Sequence, residues 1–124
     1  MLLLRLKAAL IALVGFSGTS VQAGERRVEL VMFELGTCIY CAVWNDAVGR
    51  SYADTVPGQR APLRRVSLTE PRPDDLTHVA GVRMTPTFVL LDDGREVGRI
   101  QGYANADLFW SELRRLLGKM TAER

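Results

Sequence analysis

The chain holds two cysteines, and both fall within residues 35 to 42, Leu-Gly-Thr-Cys-Ile-Tyr-Cys-Ala. Cys38 and Cys41 are three positions apart and follow an apolar run. Three kinds of chemistry use paired thiols at that spacing: a structural disulfide, half of a metal site, or a dithiol redox couple. In a simple chain-entropy model a disulfide stabilises more as its loop lengthens, so a loop of a few residues gives the least. Tetrahedral zinc takes four protein ligands in a structural site, or three with an open position. Beyond the cysteines the chain offers one nitrogen ligand, His78, on a segment where a solvated surface histidine is the ordinary case. The redox couple therefore comes first.

The compartment matters to such a couple. Residues 1 to 23 carry Arg5 and Lys7, an apolar core from Ala8 to Phe16, and a small polar region ending Val21-Gln22-Ala23. That order is expected of a secretory signal peptide cut after Ala23, leaving residues 24–124 as one domain. The core falls short of the ~20 apolar residues a spanning helix needs, so a retained anchor is the lesser alternative. Of the 16 basic residues two lie in the leader, which leaves 14 against 14 acidic ones. A near-neutral domain without a basic-aromatic stripe gives no reason to expect nucleic acid. Export would place the thiols where disulfides form and exchange.

The elements that must hold the thiols can be read in order. Residues 27–34 form an apolar, β-rich run of strand length. Leu35-Gly36-Thr37 breaks it, and from Ile39 to about Tyr52 the residues Cys41, Val43, Trp44, Ala47 and Val48 recur at helical spacing. A loop with Pro57, Gly58 and Pro62 precedes a second strand over 63–68. Pro71 and Pro73 punctuate the chain before a short expected helix over 74–80, closed by Gly81. Thr87 to Leu91 reads as a strand, Asp92-Asp93-Gly94 as a hairpin turn, and 96–101 as the returning strand. Asn105 can cap a last helix to about Leu117, with Phe109, Leu113, Leu116 and Met120 on one face. The strand-helix-strand half implies parallel pairing and the hairpin half antiparallel pairing. The expected class is α/β: a mixed four-stranded sheet with helices on both faces.

Cys38 falls at the junction of the first strand and its helix, where N–H groups lack partners and the macrodipole is positive. A thiolate there is stabilised, so Cys38 is the expected nucleophile. Cys41, one turn deeper, is the expected resolving thiol for a mixed disulfide.

Strand, Gly-Thr-Cys-Ile-Tyr-Cys, helix, then Met-Thr-Pro-Thr-Phe before an apolar hairpin, resembles the thioredoxin superfamily across nearly the whole mature chain. The resemblance implies a cis Pro86 facing the cysteines, with Thr85 offering backbone groups to an extended substrate segment. Cys41 to Trp44, Ala61 to Val66, Thr85 to Leu91, residues 94–103 and Phe109-Trp110 resemble the SoxS family, periplasmic thioredoxins of bacterial sulfur-oxidation systems. That likeness implies an exported thiol-disulfide reductase that keeps a SoxYZ-like sulfur carrier active. It needs no cofactor beyond the Cys38–Cys41 pair and draws electrons from a membrane thiol transporter.

Departures from the broader family also matter. Its usual buried acid on the first strand aligns with Met32; Glu34, two residues on and on the same face, is the candidate for proton transfer from Cys41, with a strand-end carboxylate reaching water as the alternative. Ile39-Tyr40 replaces the family's Gly-Pro, so potential and direction cannot be borrowed, and an oxidase stays open. Tyr40 is a candidate for partner contact, with plain solvent exposure as the alternative. Arg83 can lower a nearby thiol's pKa or be a loop charge, and Trp44, Phe33 and Trp110 are expected to be packing residues. A periplasmic Cu(I) carrier using Cys38, Cys41 and a third ligand, with His78 the available histidine, is the reading from another class.

Overall fold

The computed structural model describes residues 25–122, with Gly15 and Gly18 as isolated positions. The leader expected over residues 1–23 otherwise lies outside the described residues. Four strands, β1 (Val28–Glu34), β2 (Leu63–Ser67), β3 (Thr87–Asp92) and β4 (Arg95–Gln101), form one sheet in the order β2-β1-β3-β4. β1 pairs parallel with β2 and antiparallel with β3, and β4 returns antiparallel to β3. The β3–β4 turn is the two residues Asp93 and Gly94, with φ of 49° and 81°. Two positive-φ positions are what a type I′ hairpin requires, and Asp-Gly supplies them.

β1 is apolar without alternation because both its faces are covered. Leu30 and Met32 join Phe88 and Leu90 of β3 in one core; Val31 and Phe33 join Val89 and Leu91 in the other. The first core is closed by helices α1 (Ile39–Trp44) and α3 (Ala106–Ala122). Trp44 is fully buried there, its ring 5.0 Å from Phe88 and 5.5 Å from Phe109 between centroids. All four residues expected on the inner face of α3 are buried, and the Asn105 side chain accepts the Leu108 N–H at 2.9 Å, as a cap does.

The second face is covered differently from expectation. Instead of a helix over residues 74–80 there is a single 3₁₀ turn, Asp74–Leu76, flanked by irregular chain. One turn between Pro73 and Gly81 cannot meet the cost of nucleating a helix on its own. Side chains fasten it instead. Leu76 and Val79 are buried in the second core, and Arg64 grips Asp75 with two bonds of 2.6 and 2.8 Å. The same Arg64 reaches Glu29 at 3.1 Å, so a largely buried carboxylate in β1 has a cation. Arg72 donates to the Val79 carbonyl at 2.7 Å and lies 4.6 Å over the Phe33 ring.

The long expected helix after Cys38 is also interrupted. α1 passes directly into a π turn, Asn45–Gly49, then a 3₁₀ turn, Tyr52–Asp54, and a short helix α2 (Val56–Arg60) where a loop was expected. Thr55 caps α2 by accepting the Gly58 N–H at 3.1 Å, and Pro57 sits in its first turn, where a missing N–H costs nothing. Cys41, Trp44 and Val48 point inward, but Val43 and Ala47 are exposed. No helix among the described residues is long and apolar enough to cross a membrane.

Candidate active site

Cys38 is the N-cap of α1. Its backbone is extended (φ −79°, ψ 109°), and its sulfur accepts the Cys41 N–H at 3.0 Å. A serine oxygen plays the same part at many helix starts; here the capping acceptor is a sulfur of the disulfide. α1 and its π turn form one helical stretch over residues 39–49, and its first turn has no acidic residue to compete for the dipole. The two cysteines form a disulfide with Cα atoms 5.2 Å apart. They are unequal: Cys41 is 3% exposed and lies in the first core, whereas Cys38 is only partly buried. The outer sulfur can meet a partner and the inner one cannot, which is the asymmetry a two-step exchange needs.

The register fixes what lies at the disulfide's end of the sheet. Phe33 at the end of β1 pairs with Thr87 at the start of β3, so the α1 start and the Thr85-Pro86 segment share one end of the sheet. The Thr85–Pro86 peptide bond is cis. Buried Thr87 holds this turn by donating to the Met84 carbonyl at 2.6 Å, and Gly102 N–H donates to the Pro86 carbonyl at 2.7 Å. Tyr40, Met84, Thr85, Gly102, Tyr103 and Ala104 line a cavity of about 480 Å³. Thus Tyr40 and Thr85 come together from distant parts of the chain. Ile39, Tyr40, Val43 and Met84 are at least 47% exposed, an apolar collar around the cysteines. Exposed aliphatic groups of this size commonly mark a contact surface. Sequence reading singled out neither Val43 nor Met84 as exposed: Val43 matched the inward helical period, and Met84, which lines the cavity, reads as loop until Pro86 is placed.

Glu34 ends β1 on the Met32 face, and its carboxylate accepts from Arg65 at 2.6 Å. Arg65 is the busiest side chain near the site. It also donates to Asn45 at 2.6 Å, touches the Met32 sulfur at 3.7 Å and lies 5.9 Å from the Trp44 ring centre. It therefore ties β2 to the end of α1 and to the strand beneath the cysteines. Sequence spacing gave no sign of this, because Arg64-Arg65 reads as a plain polar pair. Parity separates them: Arg64 pairs with Val31 and Arg65 with Met32, so they serve opposite faces.

His78 is placed elsewhere. Its Nε2 contacts the Gly94 carbonyl at 2.5 Å, at the hairpin end of β3. A six-residue strand spans about 20 Å, so β3 separates His78 from the end that carries Pro86 and the cysteines. Arg83 is exposed, and Trp110 stacks on Tyr52 with rings 5.8 Å apart and 7° from parallel.

A family model described as a thioredoxin-like domain matches residues 19–117. Among solved structures, the periplasmic thioredoxin SoxS from Paracoccus pantotrophus, in reduced form, is 39% identical with a TM-score of 0.72. That alignment covers 76% of this chain and 99% of the other. A thioredoxin from Thermus thermophilus is 27% identical, TM-score 0.54, over 73% of this chain and 74% of its own. Fasciola hepatica thioredoxin, 24% identical over 72% and 80% with a TM-score of 0.54, shares the fold. Comparison with curated protein sequences gave no significant match. With its Cys-x-x-Cys disulfide at the head of α1, the chain belongs to the thioredoxin-like family and is a thiol-disulfide oxidoreductase.

Proposed function

We propose that this protein is an exported reductase that keeps a periplasmic sulfur-carrier protein of the SoxYZ type active, with Cys38 as nucleophile and Cys41 as resolving thiol. The observation that carries the chemistry is the capped, partly exposed Cys38 sulfur beside a buried Cys41, at the sheet end that holds Thr85-Pro86. The specialised role is supported by 39% identity over nearly the full length of a periplasmic SoxS.

In the reduced protein the Cys38 thiolate attacks a sulfur of the partner's disulfide. A bond forms between the two sulfurs, and the partner's other sulfur leaves as a thiolate. Cys41 then gives up its proton and attacks Cys38, which releases the partner's second thiol and closes the Cys38–Cys41 disulfide. Two electrons have passed to the partner. Glu34, held by Arg65 on the same sheet face as Met32, is the proposed acceptor of the Cys41 proton. Tyr40, Thr85 and Pro86 would receive the partner's extended chain. The periplasm is kept oxidising, so a membrane thiol-electron transporter has to return the protein to its dithiol form. Residues 1–23 would serve as the export signal.

The test is a trap. A Cys41→Ser variant cannot resolve its mixed disulfide, so in the native cell it should accumulate one bonded through Cys38 to a sulfur-carrier protein. Absence of any adduct would defeat the dithiol mechanism; an adduct with unrelated proteins alone would defeat the specialised role. Wild-type protein found mostly oxidised in the cell would reverse the direction to that of a disulfide donor.

A further inference from the structure

A second groove adjoins the cavity lined by Tyr40 and Thr85. It measures about 370 Å³, lies between β4 and α3, and is bounded by Ile100, Leu108 and Phe109 with Arg99 and Glu112 at its rim. Gly102, Tyr103 and Ala104 line both cavities, so the two adjoin along this segment. Gly102 lies in the segment they share, and it has no side chain to stand between them. Its φ of +77° disfavours any side chain, its N–H is bonded to Pro86, and a Cβ there would stand 3.6 Å from the Met84 sulfur.

The character of this second groove points to its occupant. Leu108 is 50% exposed, one of the few large apolar side chains left open among the described residues, most of the others ringing the cysteines. The rim charges are already matched: Arg99 bonds Glu96 at 2.5 and 2.9 Å, and Glu112 bonds Arg115 at 2.8 Å. No lone charge there calls for an ionic ligand. Among the described residues β4 pairs only with β3, so its other edge presents open backbone groups, the kind an extended chain can bond.

We infer that this groove is a second docking site for the extended chain of a protein substrate, seating an uncharged apolar side chain on Leu108 beyond the residues that contact Thr85. This rests on the dithiol reading of the first cavity. Its effect is on choice of substrate: chains with an apolar residue at the right remove from the reactive cysteine react faster, and small disulfides feel nothing.

The test uses two synthetic peptides, each carrying its cysteine in an activated mixed disulfide whose leaving thiol can be followed optically. One is trimmed to the cysteine and its neighbours; the other continues both ways as an uncharged, extended apolar chain. Burying one apolar side chain should make the reduced protein react about tenfold faster with the long peptide than with the trimmed one. Leu108→Glu should abolish that gain and leave the trimmed peptide's rate unchanged. Glutamate is suited to this position, third in a helix capped by Asn105, so the variant keeps α3. No gain in the wild type, or a gain that survives Leu108→Glu, overturns the docking site. So does a concentration-dependent dimer that Leu108→Glu dissolves, since the groove would then serve a second copy. Failure of both peptides to form a mixed disulfide would instead overturn the dithiol reading, and the docking site with it.

Discussion

A sulfur that caps a helix has two roles that can conflict. As an acceptor from the Cys41 N–H at 3.0 Å it stabilises the start of α1. As the proposed nucleophile it would have to leave that position to reach a partner. The pairing of the thiols was legible because spacing and a strand-to-helix boundary determine it. Of the charged surroundings only Glu34 was legible, from strand parity; its partner Arg65 is brought to it by the β1–β2 register and then reaches Asn45 beyond α1. If Glu34 takes the Cys41 proton, Glu34→Gln should slow resolution of the mixed disulfide at least about tenfold, toward the lower end of general-base effects, and flatten its pH profile. The first attack by Cys38 should be unaffected. Stopped-flow resolution rates from pH 5 to 9 check this, and coincident profiles would remove Glu34 from the mechanism.

At the level of elements, strands and α3 followed their patterns, but residues 45–60 did not. Helical periodicity does not reveal a π turn, because the residues on either side of it still recur every three or four positions. Packing decides here: a Cβ at Gly49 would stand 2.9 Å from the Trp44 ring. The next turn depends on another glycine, as a Cβ at Gly58 would fall 1.8 Å from the Tyr52 carbonyl oxygen. That carbonyl also accepts the Thr55 hydroxyl at 2.7 Å, while the Tyr52 hydroxyl donates to Ala61 at 2.6 Å. Burial accordingly drives the Tyr52 phenol above its ordinary pKa. Gly58→Ala should cost about 1–3 kcal/mol through forced backbone shifts. Gly118, exposed in α3 with open space around it, should behave oppositely: Gly118→Ala should add about 0.5–1 kcal/mol. Urea unfolding of both variants tests the contrast.

Over the whole molecule, the two sheet faces are secured by different means. One is closed by helices over an aromatic core; the other relies on a nearly helix-free segment pinned by Arg64, Arg72 and His78. The side-chain hydrogen bonds from Arg64 hold the Asp75 carboxyl below its usual pKa. A carboxylate with a depressed folded pKa stabilises above its unfolded value, about pH 4, and loses that contribution as pH falls through the folded value. The pair is half exposed, so the effect is modest. Asp75→Asn should therefore unfold at lower urea than wild type at pH 7, with the gap closing below pH 4. A gap independent of pH would mean that the ion pair does not pin this segment. What ties fold to chemistry is the placement of Cys38 at the opening turn of α1, and the most direct measurement is the pH dependence of Cys38 alkylation in the reduced protein, resolved by mass spectrometry. The midpoint should lie well below the ~8.5 of a free thiol, with Cys41 unreactive at the same pH. A Cys38 midpoint at or above the free value, or equal reactivity of the two thiols, would contradict it.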